Sequence, residues 1–255
     1  MNDLSGELEV WQSNTLVEAS HSMTLNEKRL IYAAAAVHNP KLPMPSKNRI
    51  TLHADDFAEV FGLGDSNQIY EALADAAERL FNRRIRRIRD SPRGKGRKII
   101  TNMRWVSFAE YNEGEGTVTL GFCPEVAPYL TLIHQEFTRF KLKHIGNIGS
   151  YYGLRLYELC AQFRKGGERT IALDKLREML DLGDKYERIE TLRRRVLDPA
   201  LKEINKHTDL RVVMTPERKG RKVIGFHFDI VQDDQLPLDL PIPPEATLEP
   251  LEATA

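Results

Sequence analysis

The chain has 255 residues, 41% of them hydrophobic, with 37 basic and 37 acidic residues in balance. That length fits one large or two ordinary domains with a real core. Two cysteines, Cys123 and Cys160, exclude a disulfide scaffold and a cysteine-built zinc site. With no leader-like or membrane-length apolar run, they lead us to expect a reduced, cytoplasmic protein.

The zero net charge conceals a sorted distribution. Arg79, Arg83, Arg84, Arg86, Arg87, Arg89, Arg93, Lys95, Arg97 and Lys98 share their span with a single acid, Asp90. A second basic block runs from Lys185 to Lys222, and no lysine or arginine follows it. The acids Asp233, Asp234, Asp239, Glu245, Glu249 and Glu252 restore the balance,.

In chain order, residues 1–13 read as an arm. Thr24 and Glu27 have capping-box spacing and open a helix that Asn39-Pro40 ends. Ile50–Leu52 is a short strand and Asp55–Phe61 a short helix. Gly62-Leu63-Gly64 turns into a helix whose stripe is Ile69, Ala72, Leu73, Ala76 and Leu80. Ile85–Arg89 and Ile99–Trp105, continuing towards Tyr111, are strands around the Ser91–Gly96 loop. Thr117–Phe122 is another strand. Residues 124–149 form a connector with a helix after Pro124.

The order then repeats. Tyr151–Arg164 is a helix, Thr170–Leu173 a strand, and Asp174 caps a short helix. Leu182-Gly183-Asp184 turns into a long helix, and Leu210–Met214 and Val223–Ile230 are strands around Pro216–Gly220. Ile50-Thr51-Leu52 and Phe61-Gly62-Leu63-Gly64-Asp65 match Ile171-Ala172-Leu173 and Leu180-Asp181-Leu182-Gly183-Asp184, each leading to a long helix and a basic hairpin,. The expected fold is α+β: two tandem winged-helix domains related by internal duplication, at 14–145 and 146–231. Residues 232–255, rich in proline and acid, are expected to be a disordered acidic tail.

The stretch Asp184–His207 carries the chemistry. Asp184 and Glu187 have capping-box spacing. At about 100° per residue, Ile189, Leu192, Val196, Ala200 and Ile204 share one stripe. Arg188, Thr191, Arg195 and Lys202 fall opposite, with Arg194 beside them. Asp198-Pro199 either kinks the helix or begins a second one. A winged helix places its last helix in the major groove and its hairpin on phosphate. Arginine can fork onto guanine, so this face is a candidate reader, supported by Lys185. Lys219, Arg221 and Lys222 on the wing are candidate phosphate contacts.

In the first unit, Arg83, Arg84, Arg86, Arg87, Lys95 and Arg97 suggest backbone or minor-groove contact. A charged, solvated edge hairpin is the other reading of that cluster. No phosphate loop, histidine pair or acid cluster offers catalysis or a metal site. We therefore expect no enzyme, cofactor or metal, and double-stranded DNA as the partner.

Several segments resemble the plasmid replication initiators that bind iterons, direct repeats at an origin. They are Asn14–Ala19 with Asn26–Leu30, Ser150–Leu159, Arg195–Asn205 and Gly225–Ile230. The resemblance implies two winged helices and no enzymatic activity. It implies monomers on origin repeats, and homodimers, built through the first domain, on the initiator's own promoter. It also implies recruitment of the host initiator and replicative helicase. A winged-helix repressor without initiator activity is the alternative. The tail segment Gln235-Leu236-Pro237-Leu238-Asp239-Leu240 resembles the peptide by which bacterial proteins dock on the polymerase sliding clamp. In it Gln235 would be the polar anchor, and Leu236, Leu238 and Leu240 the apolar contacts. An accidental leucine pattern is the competing reading.

Overall fold

The computed structural model describes residues 4–64, 66–92, 94, 96–131 and 136–232. The tail with Gln235, Leu236, Leu238 and Leu240 lies outside the described residues. In chain order the first part holds β1 (Glu9–Ser13), α1 (Asn14–Val17), α2 (Leu25–Val37), β2 (Arg49–His53), α3 (Ala54–Val60) and α4 (Ser66–Asn82). There follow β3 (Arg84–Asp90), β4 (Lys98–Arg104), β5 (Val106–Asn112), β6 (Thr117–Phe122) and β7 (Phe137–Lys141). The second part holds α5 (Tyr151–Ala161), β8 (Glu168–Ala172), α6 (Leu173–Met179), α7 (Ile189–Leu192), α8 (Asp198–His207), β9 (Leu210–Lys219) and β10 (Lys222–Gln232).

The duplication is written in the sheets. One has the order β2–β6–β5 and the other β8–β10–β9, so the first strand of each of these sheets pairs with the last. Each first strand follows a helix and leads into two more, and each sheet closes with an antiparallel hairpin. In the second unit the close approach demands glycine. A Cβ on Gly225 would stand 2.6 Å from the Ile171 carbonyl oxygen, where the β9–β10 register also shifts.

The structure corrects four sequence expectations. Part of the arm is a strand: Glu9–Ser13 pairs antiparallel with β7, with Val10 opposite Phe140. The strand begun at Ile99 does not run on to Tyr111. It breaks at Trp105, whose buried ring separates β4 and β5 into different sheets. Pro124 is followed by only a short 3₁₀ turn, Ala127–Tyr129. And the basic hairpin β3–β4 is no wing. It is a separate two-stranded insertion between α4 and the true wing β5–β6. That wing turns through Glu113-Gly114-Glu115-Gly116 and is acidic at its tip.

Helices α2 and α5 pack together over a buried charge triad. Glu158 binds Lys28 at 2.8 Å and Arg155 at 2.6 Å, all three side chains inaccessible, and Gln12 of β1 donates to the same carboxylate at 2.5 Å. Arg155 also donates to the carbonyls of Val17, Ala19 and Met179. Burial alone would raise the Glu158 carboxyl, but Lys28 and Arg155 hold it below its ordinary value. Burial pushes the Lys28 ammonium down to about 8 against the pull of Glu158. His21, buried beside the same two cations, is held well below its ordinary value and is neutral,.

Candidate nucleic-acid interface

The long basic helix starts four residues later than the Asp184 cap predicts. Asp184 and Glu187 form no capping box. The chain crosses 181–188 as a turn in which Asp181 (φ 50), Gly183 (φ 53) and Tyr186 (φ 56) are left-handed. Helical geometry cannot pass through those dihedrals, so Arg188 becomes the N-cap of α7.

From Ile189 the helix runs without a break to His207, but not as a uniform α-helix. Arg193–Leu197 is a π turn between α7 and α8. The cause is Pro199, which has no N–H for the Arg195 carbonyl. The ladder slips instead, and the Asp198 N–H reaches back to the Arg193 carbonyl,. Proline thus neither ends nor breaks this helix.

The two faces separate as the periodicity predicts. Leu192, Val196, Leu197, Ala200 and Ile204 are buried against the core, and Ile189, first in the predicted stripe, is half-buried against it. Arg188, Arg194, Arg195 and Lys202 are exposed, and Thr191 is half-buried at the flank. Among the described residues, none of these four cations takes part in an ion pair. Arg193 does, with Asp198 at 3.4 Å. Lys185 is exposed in the turn that leads in.

The wing is fastened to the helix. Asn205 donates to the Val212 carbonyl at 2.9 Å and accepts from its N–H at 2.7 Å. Thr208 closes the helix by donating to the Ile204 carbonyl at 2.9 Å. From there β9 and β10 run out to a two-residue turn, Gly220-Arg221, with Lys219 opposite Lys222. Gly220 takes a φ of 63°, which a glycine-first hairpin turn requires,. Lys219, Arg221 and Lys222 are exposed there, and so is Arg218, which the sequence reading passed over.

In the first unit the equivalent surface has the opposite sign. Glu71, Asp75 and Glu78 are exposed along α4, beside the acidic wing tip. The cations sit on the inserted hairpin instead, and they divide. Arg84, Arg86 and Arg97 are exposed. Arg87 is half-buried and donates to the Tyr129 hydroxyl at 3.3 Å. Arg83 belongs to the fold: its guanidinium grips the buried carboxylate of Glu27 at 3.0 and 3.1 Å, and Glu27 closes the Thr24 capping box. That bidentate grip removes Arg83 from the exposed cationic set. Lys95 lies outside the described residues.

The β3–β4 hairpin lies close to the second unit. Arg86 and Ile88 line one side of a 170 Å³ crevice, and Arg177, Glu178, Asp181 and Gly183 the other. Two histidines prove to be structural: His144 pairs with Asp209 at 3.1 Å, and His38 bonds Thr131 at 3.2 Å. Among the described residues, no three metal-ligating side chains cluster. No helix there is long and apolar enough to cross a membrane.

Known proteins resemble this chain. A replication initiation protein of Escherichia coli is 27% identical over 239 residues, covering 91% of this chain and 72% of its own length. The PI protein of Escherichia coli is 24% identical over 269 residues, covering 92% and 86%. The crystal structure of the Pi initiator protein in complex with iteron DNA superposes with a TM-score of 0.74 at 23% identity, over 90% of this chain and 99% of that one. Residues 9–161 match the family described as initiator replication protein, WH1, a span that runs through α5. Residues 172–230 match initiator Rep protein, WH2. With both winged helices present in order over most of its length, the chain belongs to the plasmid replication initiator family.

Proposed function

We propose that this protein starts plasmid replication by binding direct repeats at the origin as a monomer, and represses its own promoter as a homodimer. The observation that carries the reading is the exposed row Arg188, Arg194, Arg195 and Lys202, backed by a buried stripe and flanked by the Lys219–Lys222 wing tip. Arginine side chains on such a helix can read base edges, and the wing lysines neutralise phosphate. The first domain, with its acidic helix and wing, contributes phosphate contacts through Arg84, Arg86 and Arg97 on the inserted hairpin. It also provides the dimer surface. The protein works in the cytoplasm and assigns no residue to catalysis.

A plasmid carrying the cognate origin should replicate in a host only when this protein is supplied. Repression of a reporter fused to its own promoter, without plasmid maintenance, would make it a repressor alone. Footprinting of the DNA upstream of its gene identifies the repeats.

Host replication proteins, the host initiator and the helicase or its loader, are the partners that this reading requires, and the sliding clamp is a further one. Gln235, Leu236, Leu238 and Leu240 form a short acidic-flanked leucine motif whose proline favours an extended chain. A Gln235/Leu238/Leu240 triple alanine variant should lose capture of the purified clamp. Undiminished capture removes the clamp from the scheme.

A further inference from the structure

The turn that launches the recognition helix is not self-sufficient. Three left-handed residues, two of them not glycine, fall within 181–186. For residues with a Cβ that region is unfavourable by about 1–2 kcal/mol each, so the segment would relax unless held from outside. One side chain does most of the holding. Arg177, near the end of α6, donates from Nη1 to the Tyr186 carbonyl at 3.0 Å. From Nη2 it donates to the carbonyls of Gly183 at 2.9 Å and Lys185 at 2.5 Å. A fork of planar donors spanning three consecutive-turn acceptors is something arginine can make and lysine cannot.

A second hold comes from the first domain. Ser20 donates to the Asp181 carboxylate at 2.7 Å. The backbone of Ser20 is in turn bridged in both directions to Arg86 of β3, at 3.1 and 2.9 Å. The start of the recognition helix is therefore pinned from its own domain by Arg177, and tied through Ser20 to the basic hairpin of the other.

We propose that Arg177 is a positioning residue for sequence-specific DNA binding: it acts through the 183–186 turn to set where Lys185, Arg188 and the first helical turn stand, without contacting DNA itself. This rests on the DNA-binding reading above. The geometry separates the two roles a surface arginine could have. Its guanidinium is spent on three protein carbonyls, and its charge is not needed for that work, whereas its shape is.

The test compares wild type, Arg177→Lys and Arg177→Gln on two duplexes, one holding a footprinted repeat and one a scrambled sequence of equal length. Both variants should lose about tenfold or more on the repeat, the scale of one misplaced base contact. Both should hold near wild-type affinity on the scrambled duplex, with an unchanged salt slope. Hydrogen exchange of the 183–188 amides should speed up while the melting temperature of the whole protein stays put. Full activity in Arg177→Lys overturns the inference. So does equal loss on both duplexes, or a salt slope reduced by about one in Arg177→Gln alone, which marks a phosphate contact.

If the Arg177 variants fail to fold, Gly183→Ala decides. Its methyl meets nothing within 4 Å, yet its φ of 53° is disfavoured for alanine,. Selective loss on the repeat supports the turn's role, and wild-type discrimination overturns it. Wild-type protein that cannot tell the duplexes apart would instead overturn the DNA-reading function, and the inference with it.

Discussion

Replacing Glu158 with glutamine should lower stability by about 3–5 kcal/mol at neutral pH, the usual result of removing one partner from a buried ion pair. Glutamine preserves volume and can still face Gln12. It leaves Lys28 and Arg155, both inaccessible, without their shared anion. The loss should depend on pH in a specific direction. Lys28 already releases its proton near 8 when Glu158 is present. Without that anion it releases it more readily, so the variant recovers part of its deficit as pH rises past neutrality. Towards acid the two proteins should converge. The Glu158 carboxyl is held below its ordinary 4.5 in the fold; its contribution is therefore complete above that value and disappears as pH falls through the folded pKa. Denaturant unfolding of both proteins across this range measures it. A constant difference at every pH would show that the charge of Glu158 is not what stabilises this contact.

The second large effect belongs to the proposed DNA surface. Arg195→Ala should weaken binding to a cognate repeat by about 1–3 kcal/mol while leaving affinity for random duplex nearly unchanged. Arg195 is exposed, lies in the π turn and has no ion-pair partner among the described residues. The mutation should thus move stability by no more than about 0.5 kcal/mol. Lys222→Ala provides the contrast. At the wing tip it should reduce affinity for cognate and random duplex alike and lower the salt slope by about one. Titrations of both variants at several salt concentrations separate the roles. A uniform loss for Arg195→Ala would make it a phosphate contact instead.

What could be read from the letters was whatever depended on neighbours in sequence. The Thr24–Glu27 capping box is present as predicted, with Thr24 accepting from the Glu27 N–H at 3.3 Å. The 3.6-residue period sorted the buried and exposed sides of the basic helix correctly. The Asp184–Glu187 spacing had the same form and failed, because the left-handed backbone at Gly183 and Tyr186 is stabilised by Arg177, several residues earlier and on another helix. Long-range pairing was equally hidden. Glu9–Ser13 is a strand only because Phe137–Lys141 lies beside it. The basic hairpin passed for a wing because charge and turn residues say nothing about which sheet a hairpin joins. Arg83, one residue before β3, looked like its neighbours, and only the fold brings Glu27 to it.

The slipped ladder at Arg193–Leu197 has an angular meaning. A turn closed one residue wide shifts the indexing of everything upstream by about 100° relative to everything downstream. Arg188 and Thr191 stand before the slip and Lys202 after it. Pro199, an imino acid that need touch no nucleotide, therefore acts as a vernier between the two ends of the probe. In the proposed DNA-reading role, moving the vernier alone would retune which base steps are sampled together, with every side chain of the helix left in place.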